Sequence, residues 1–358
     1  MAREVYVAGV GMIPFAKPGK SDPYHVMGAA AARKALDDAR VPFALVEQAY
    51  VGYVFGDSCS GQRALYGVGL SSIPIVNVNN NCSTGSTALF LARQAVESGA
   101  VECALALGFE QMVPGAIKKM YTDRPTPLDE FAAAVDRKDG IDPAAPMAPQ
   151  YFAAAGRQYM RDRGAKPSTF AKISVKARKH AARNPFALFR DPVTEEEVLA
   201  SPNIVAPLTR LQCCPPTCGA AAAVLCSRDF AVRHGLDQRV VIAGQAMTTD
   251  VAGTFDAGDM LRVVGYDMAR RAAAQVYEAM KLQVEVLRDQ QRSLRNTRND
   301  ITGELANDNT KGVDREGLEG RLKSVDARIG DLDKQLSQAQ AQEAIAAGVP
   351  GAYIEPPR

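Results

Sequence analysis

Seven cysteines and three histidines carry most of this sequence's potential for nucleophilic and acid–base chemistry, and one cysteine stands at a distinctive place. Cys82 lies in "NVNNNCSTGSTALF", residues 77–90, where three asparagines run into the cysteine and Ser83, Thr84 and Gly85 follow. A strand pattern ends at the asparagines and a helix pattern begins after them. A thiol is nucleophilic as thiolate, and the unpaired N–H groups and dipole of a helix N-terminus favour that form. Small neighbours let a carbonyl substrate approach the backbone, and the N–H groups of the turn can hold an acyl oxygen. This is the logic of a nucleophile presented by a strand and activated by a helix. The competing reading is a cysteine that packs as a small hydrophobe.

The other reactive residues narrow the chemistry. The remaining cysteines are 59, 103, 213, 214, 218 and 226, and the histidines are 25, 180 and 234. An odd number of cysteines with no secretion signal indicates reduced thiols and a cytoplasmic location. No C-x-x-C pair occurs and the spacing of 213, 214, 218 and 226 suits no zinc site, so no metal is expected. A net charge of +2 leaves no overall field toward nucleic acid. No run of 18 apolar residues is present, so no membrane span is expected.

The elements that must position Cys82 read as an open α/β sheet. Residues 3–9 form a first strand, followed by a helix in "SDPYHVMGAAAARKALDDAR" with a serine or aspartate N-cap. "EQAYVGYVFG", "IPIVNVNN" and "VECALALGFE" are further strands, and "STGSTALFLARQAVESG" is a helix. Strand, helix and strand at this spacing indicate a layered α/β domain. Residues 111–207 break the rhythm and read as an inserted lobe. The β pattern resumes at "GAAAAVLCS" (219–227) and "RVVIAGQAM" (239–247). From 281 the composition shifts to Gln, Arg, Asp and Leu. Leu318, Leu322, Val325, Ile329, Leu332 and Leu336 step alternately by four and three, an a/d seam. Val284, Leu287, Leu294, Ile301 and Leu305 form a looser seam, and "ANDNTKGVDREG" between the two supplies turn-formers. A helical hairpin or coiled-coil arm over 281–347 is expected, then an irregular tail over 348–358, with one solvated helix as the alternative.

Longer motifs carry a family resemblance. "VGYVFGDSCSGQRALY", "IPIVNVNNNCSTGSTALFLARQAVESG", "ECALALGFEQM", "LQCCPPTCGAAAA" and "VVGYDMARRAA" resemble the thiolase superfamily, specifically the sterol-carrier-protein type of 3-oxoacyl-CoA thiolase. The resemblance extends over residues 3 to about 280. It implies an α/β fold: a thiolase-like first half over 1–110 and 208–280, a mixed sheet with helices on both faces, and an inserted loop lobe over 111–207. The α-helical, coiled-coil-like tail stands in place of the second half. The resemblance places Cys82 as the residue that takes an acyl group from acyl-CoA as a thioester. It makes coenzyme A a substrate or product, not a permanently bound cofactor. The basic stretch "KPSTFAKISVKARKHAARNP" suits the anionic end of CoA, with Lys176, Arg178, Lys179 and His180 as candidates and a solvated helix face as the alternative.

The family's remaining catalytic groups do not have counterparts in these residues. The resemblance implies a histidine in a "GHP"-like motif, a second oxyanion group and a second acid/base cysteine. No histidine follows His234 and no cysteine follows Cys226. Cys218 also stands where relatives usually carry aspartate. The expected function is a thiolase-type acyltransferase of lipid metabolism. The alternatives are a non-catalytic acyl-CoA-binding or assembly module, a chimeric or truncated chain, and a steroid side-chain aldolase-like protein. A homodimer through the thiolase-like half and a helical partner for the tail are expected.

Overall fold

The computed structural model describes residues 3–115, 121–306 and 313–346. The chain divides into two compact units, Met1–Ile242 with Met247–Ala269 and Ala243–Ala246 with Arg270–Arg358.

The first unit is built on β1 (Val5–Met12), β2 (Gln48–Gly52), β3 (Ile75–Val78), β4 (Cys103–Glu110) and β7 (Gly219–Ser227), in the order β1-β7-β4-β2-β3. β2 pairs in parallel with β3 and β4, while β7 is antiparallel to β1 and β4. β4 is almost wholly apolar because both of its faces are covered. Cys103, Leu105, Leu107 and Phe109 enter one core with α1 (Tyr24–Ala39) and α2 (Ser60–Tyr66), while Ala104 and Ala106 enter a second with α3 (Thr84–Glu97). Alternation along the strand thus divides the helices between the two faces. The alanines of α1 at 31, 32 and 35 are fully buried, which lets that helix lie close on the sheet.

Two segments depart from what their sequence patterns suggest. Helix α1 starts at Tyr24 with Pro23, not Ser21 or Asp22, in the N-cap position, and has no side-chain cap. Residues 239–247 do not form a regular strand. Val7 N–H donates to Val240 O and Ile242 N–H to Val5 O, giving one isolated bridge between Tyr6 and Val241, and the chain then leaves β1.

The inserted segment contains α4 (Asp129–Asp139), α5 (Met147–Arg163), α6 (Pro167–Ala181), α7 (Glu195–Ala200) and the short pair β5 (Asn203–Val205) and β6 (Leu208–Thr209). It has its own core of Val135, Tyr151, Ala154 and Ala155. Met260 and Val263 of α9 (Met260–Val263) complete it, so residues well beyond 207 belong to that core. After β7 the chain enters α8 (Arg228–His234), capped by the Ser227 hydroxyl, which accepts from Phe230 N–H.

In the second unit α10 (Tyr266–Leu305), which starts in the first, faces α11 (Val313–Ala346). Val284 and Leu287 pack with Leu332, Leu336 and Ala339, and Ile301 is buried. Gln291 pairs with Asp333 and Arg298 with Asp326, so the helices run antiparallel as a hairpin. Leu318, Leu322, Val325 and Ile329 are half-buried. Residues 307–312 of the expected turn and the expected tail at 348–358 lie outside the described residues. Among the described residues no helix is long and apolar enough to cross a membrane.

Candidate functional site

The C-terminal ends of β2, β3 and β4 lie at one edge of the sheet, and the turn from β3 into α3 rises there. Open α/β sheets place their sites at such ends. The turn is tight. Asn81 has φ +49°, a left-handed conformation that asparagine tolerates better than most residues. Its N–H donates to its neighbour's side chain, Asn79 Oδ1, at 3.2 Å. Ser83 Oγ donates to Asn80 O at 2.7 Å, and Asn80 Nδ2 donates to Thr87 Oγ1 at 3.2 Å. Asn77 reaches the other way. It accepts from Gly61 N–H at 2.9 Å and donates to Gln62 Oε1 at 2.7 Å, tying β3 to α2. The asparagines therefore brace the turn: Asn79 bonds Asn81, Asn80 bonds Thr87, and Asn77 bonds α2.

Cys82 sits on this turn as an exposed, free thiol, two residues before α3 begins. Ser83 occupies the N-cap position and makes no side-chain capping bond, so no cap side chain occupies the first-turn amides. Gly85 has open space where a side chain would stand. Two further glycines bring the helix start onto the sheet. Gly52 of β2 and Gly108 of β4 are register partners. A Cβ on Gly52 would lie 2.6 Å from Thr84 Cγ2 and from Thr84 O, and one on Gly108 would lie 3.3 Å from Gly85 Cα. Met247 Sδ lies 3.9 Å from both Asn80 Nδ2 and Thr87 Oγ1.

The neighbouring loop is braced by Glu110, at the end of β4. Its carboxylate accepts from Val54 N–H at 3.0 Å and Phe55 N–H at 3.1 Å. Burial pushes its pKa up, and the backbone amides partly counter that. Cys218 is buried. It accepts from Met112 N–H at 3.2 Å and donates to Met112 O at 3.5 Å, which a protonated thiol can do and a carboxylate cannot.

The four basic candidates lie on α6. Lys176, Lys179 and His180 share one exposed face by helical spacing. Arg178 points elsewhere, with its guanidinium 4.8 Å above the Phe189 ring and a 3.4 Å bond to Asp191 O. No hydrogen bond joins α6 to the Cys82 turn among the described residues. The histidines do not gather either. His25 stands edge-on to Tyr24, His234 packs on Phe230, and none of the three is hydrogen-bonded to Cys82 among the described residues. No cluster of three His, Cys, Asp or Glu side chains suited to a metal occurs among the described residues. Sequence reasoning overlooked Gly52, Gly108 and Met247, and took Thr84 only as a small neighbour of Cys82. A glycine at a strand end was the readable signal for the first close approach.

A mixed five-stranded sheet, an inserted helical lobe and a strand–turn–helix junction that presents a cysteine define the class of α/β protein involved. The chain belongs to the thiolase family: the family model described as thiolase, N-terminal domain, matches residues 5–229. Sterol carrier protein 2 of Gallus gallus is 48% identical over 281 residues, 78% of this chain and 51% of that protein. Benzoylsuccinyl-CoA thiolase subunit BbsB of Thauera aromatica is 32% identical over 280 residues, 78% of this chain and 68% of that protein. The solved Ltp2-ChsH2(DUF35) aldolase superposes with a TM-score of 0.56 at 25% identity, over 69% of this chain and 62% of that one. The chain spans about half the length of the sterol carrier relatives it matches.

Proposed function

We propose that Cys82 accepts an acyl group from an acyl-CoA in a thiolase-type acyl transfer of lipid metabolism. The observation that carries this reading is the exposed Cys82 on the turn immediately ahead of α3, whose N-cap side chain makes no bond to the helix amides. The Cys82 sulfur attacks the thioester carbonyl carbon, the carbon–sulfur bond to CoA breaks, and the proton lost by Cys82 is balanced by one gained at the CoA thiol. One thioester replaces another, so the step needs no oxidant and no energy source. The first-turn amides of α3 beyond that of Thr84, which bonds Asn81 O, are suited to the oxyanion that develops. The exposed basic face of α6 suits the phosphates of CoA. Membership of the thiolase family and the name of the Thauera relative support the substrate class.

A second reading is an acyl-CoA-holding module without turnover. The absence of a histidine partner for Cys82 among the described residues favours it. Peptide mapping after exposure to a 3-oxoacyl-CoA separates the two. The acyl-transfer reading expects the label on Cys82. A label on Cys59 or Cys214, the other exposed thiols, or on none, contradicts it.

A further inference from the structure

We infer that Thr84 is a positioning residue for Cys82, acting through the backbone of residues 80–82. This rests on the reading of Cys82 as the acyl acceptor. Thr84 is only 4% exposed, although the turn around it is open. Its hydroxyl makes two bonds in opposite senses. It accepts from Asn80 N–H at 2.9 Å and donates to Asn81 O. Its own N–H also donates to Asn81 O, at 3.1 Å. One buried side chain thus fixes the amide on one side of Asn81 and the carbonyl on the other.

That matters because Asn81 is held in the left-handed region, which its own sequence does not enforce. Cys82 follows directly, so its position depends on the geometry at Asn81. Thr84 is itself clamped, since its methyl carbon and carbonyl oxygen occupy the space that a side chain on Gly52 would need. The chain of support runs from strand β2 through the Thr84 methyl to its hydroxyl, then to the turn, and so to the thiol. The ordinary role of a threonine at a helix start, bonding the amide two or three residues ahead, is not the one seen here. The hydroxyl reaches backward to the turn that carries the cysteine.

The residue type follows from this geometry. A serine retains both hydrogen bonds and loses the methyl that rests on β2. A valine retains the shape and loses both bonds. The two substitutions therefore separate the hydroxyl's role from packing.

The test compares the full chain with Thr84→Val and Thr84→Ser. Two rates are read at Cys82 by peptide mass: alkylation by iodoacetamide, and acylation by acetoacetyl-CoA over a range of concentrations. Thr84→Val is expected to slow acylation by about tenfold or more, with little change in the half-saturating acyl-CoA concentration, because misplacement of a reacting atom acts on the rate step. Thr84→Ser is expected to stay within about threefold of the parent. Alkylation of Cys82 should change in the Val variant and be restored in the Ser variant, while Cys59 alkylates equally in all three. Equal rates in parent and Thr84→Val overturn the inference. So does an equal loss in both variants, which would make the effect one of packing. Alkylation needs no acyl transfer, so a parent that takes no acyl group ends the acyl-acceptor reading while the positioning of Cys82 is still decided.

Discussion

At the scale of the residue, the seven cysteines separate by surroundings. Cys59, Cys82 and Cys214 are exposed, Cys213 is half-buried, and Cys103, Cys218 and Cys226 are buried. Cys103 and Cys226 are register partners across β4 and β7. Burial pushes both thiols up, Cys226 to about 11 and Cys103 further. The folded state therefore disfavours their thiolates. In the unfolded chain a thiol titrates near about 8.5. Stability from these groups is complete below that value and is lost as pH rises toward about 11. Tyr6, pushed up to about 12 by burial and by Glu4, acts in the same direction. The melting temperature should hold to about pH 8 and fall steeply by about pH 10, and Cys226→Ala should flatten that fall. Differential scanning measurements across pH check this, and an identical slope in the variant contradicts it. In native protein at neutral pH, alkylation should spare Cys103, Cys218 and Cys226 until unfolding.

At the scale of the element, Gly52 sets how close α3 stands to β2. A Cβ there would meet Thr84 Cγ2 and O at 2.6 Å, backbone as well as side chain. Gly52→Ala should cost about 1–3 kcal/mol through overpacking and slow Cys82 acylation, checked by urea titration and labelling together. Unchanged stability would mean that the turn shifts freely. On α6, Lys176→Ala with Lys179→Ala should raise the half-saturating concentration of acyl-CoA several-fold and leave an acyl-pantetheine substrate unaffected. Equal effects on both substrates would remove this face from phosphate binding. In the hairpin, Leu332→Ala should cost about 2–4 kcal/mol and speed hydrogen exchange in α10 and α11. Much of this level was readable in sequence: apolar runs announced β4 and β7, and Leu332 and Leu336 of the heptad pattern are buried against Val284 and Leu287. The pattern of 239–247 misled because apolar alternation does not say whether a neighbouring edge continues, and here β1 offers it one bridge. The site was half legible. A small-residue run after a strand pointed to Cys82, but the backward bonds of Thr84 depend on a left-handed Asn81 that no local pattern announces.

At the scale of the whole molecule, the thiolase-type sheet carries the cysteine, and the helical hairpin forms a separate compact unit. The inserted lobe is a helical body with its own core, completed by residues after β7. That explains why 255–264 belong with 129–163 despite their distance in sequence. The acyl acceptor we propose is Cys82. The most direct measurement is the intact mass of the purified chain after mixing with acetoacetyl-CoA, beside Cys82→Ala treated identically. A gain of one acyl group in the parent and none in the variant is the predicted result. A folded parent that gains no mass, or a variant that gains the same mass, contradicts the claim.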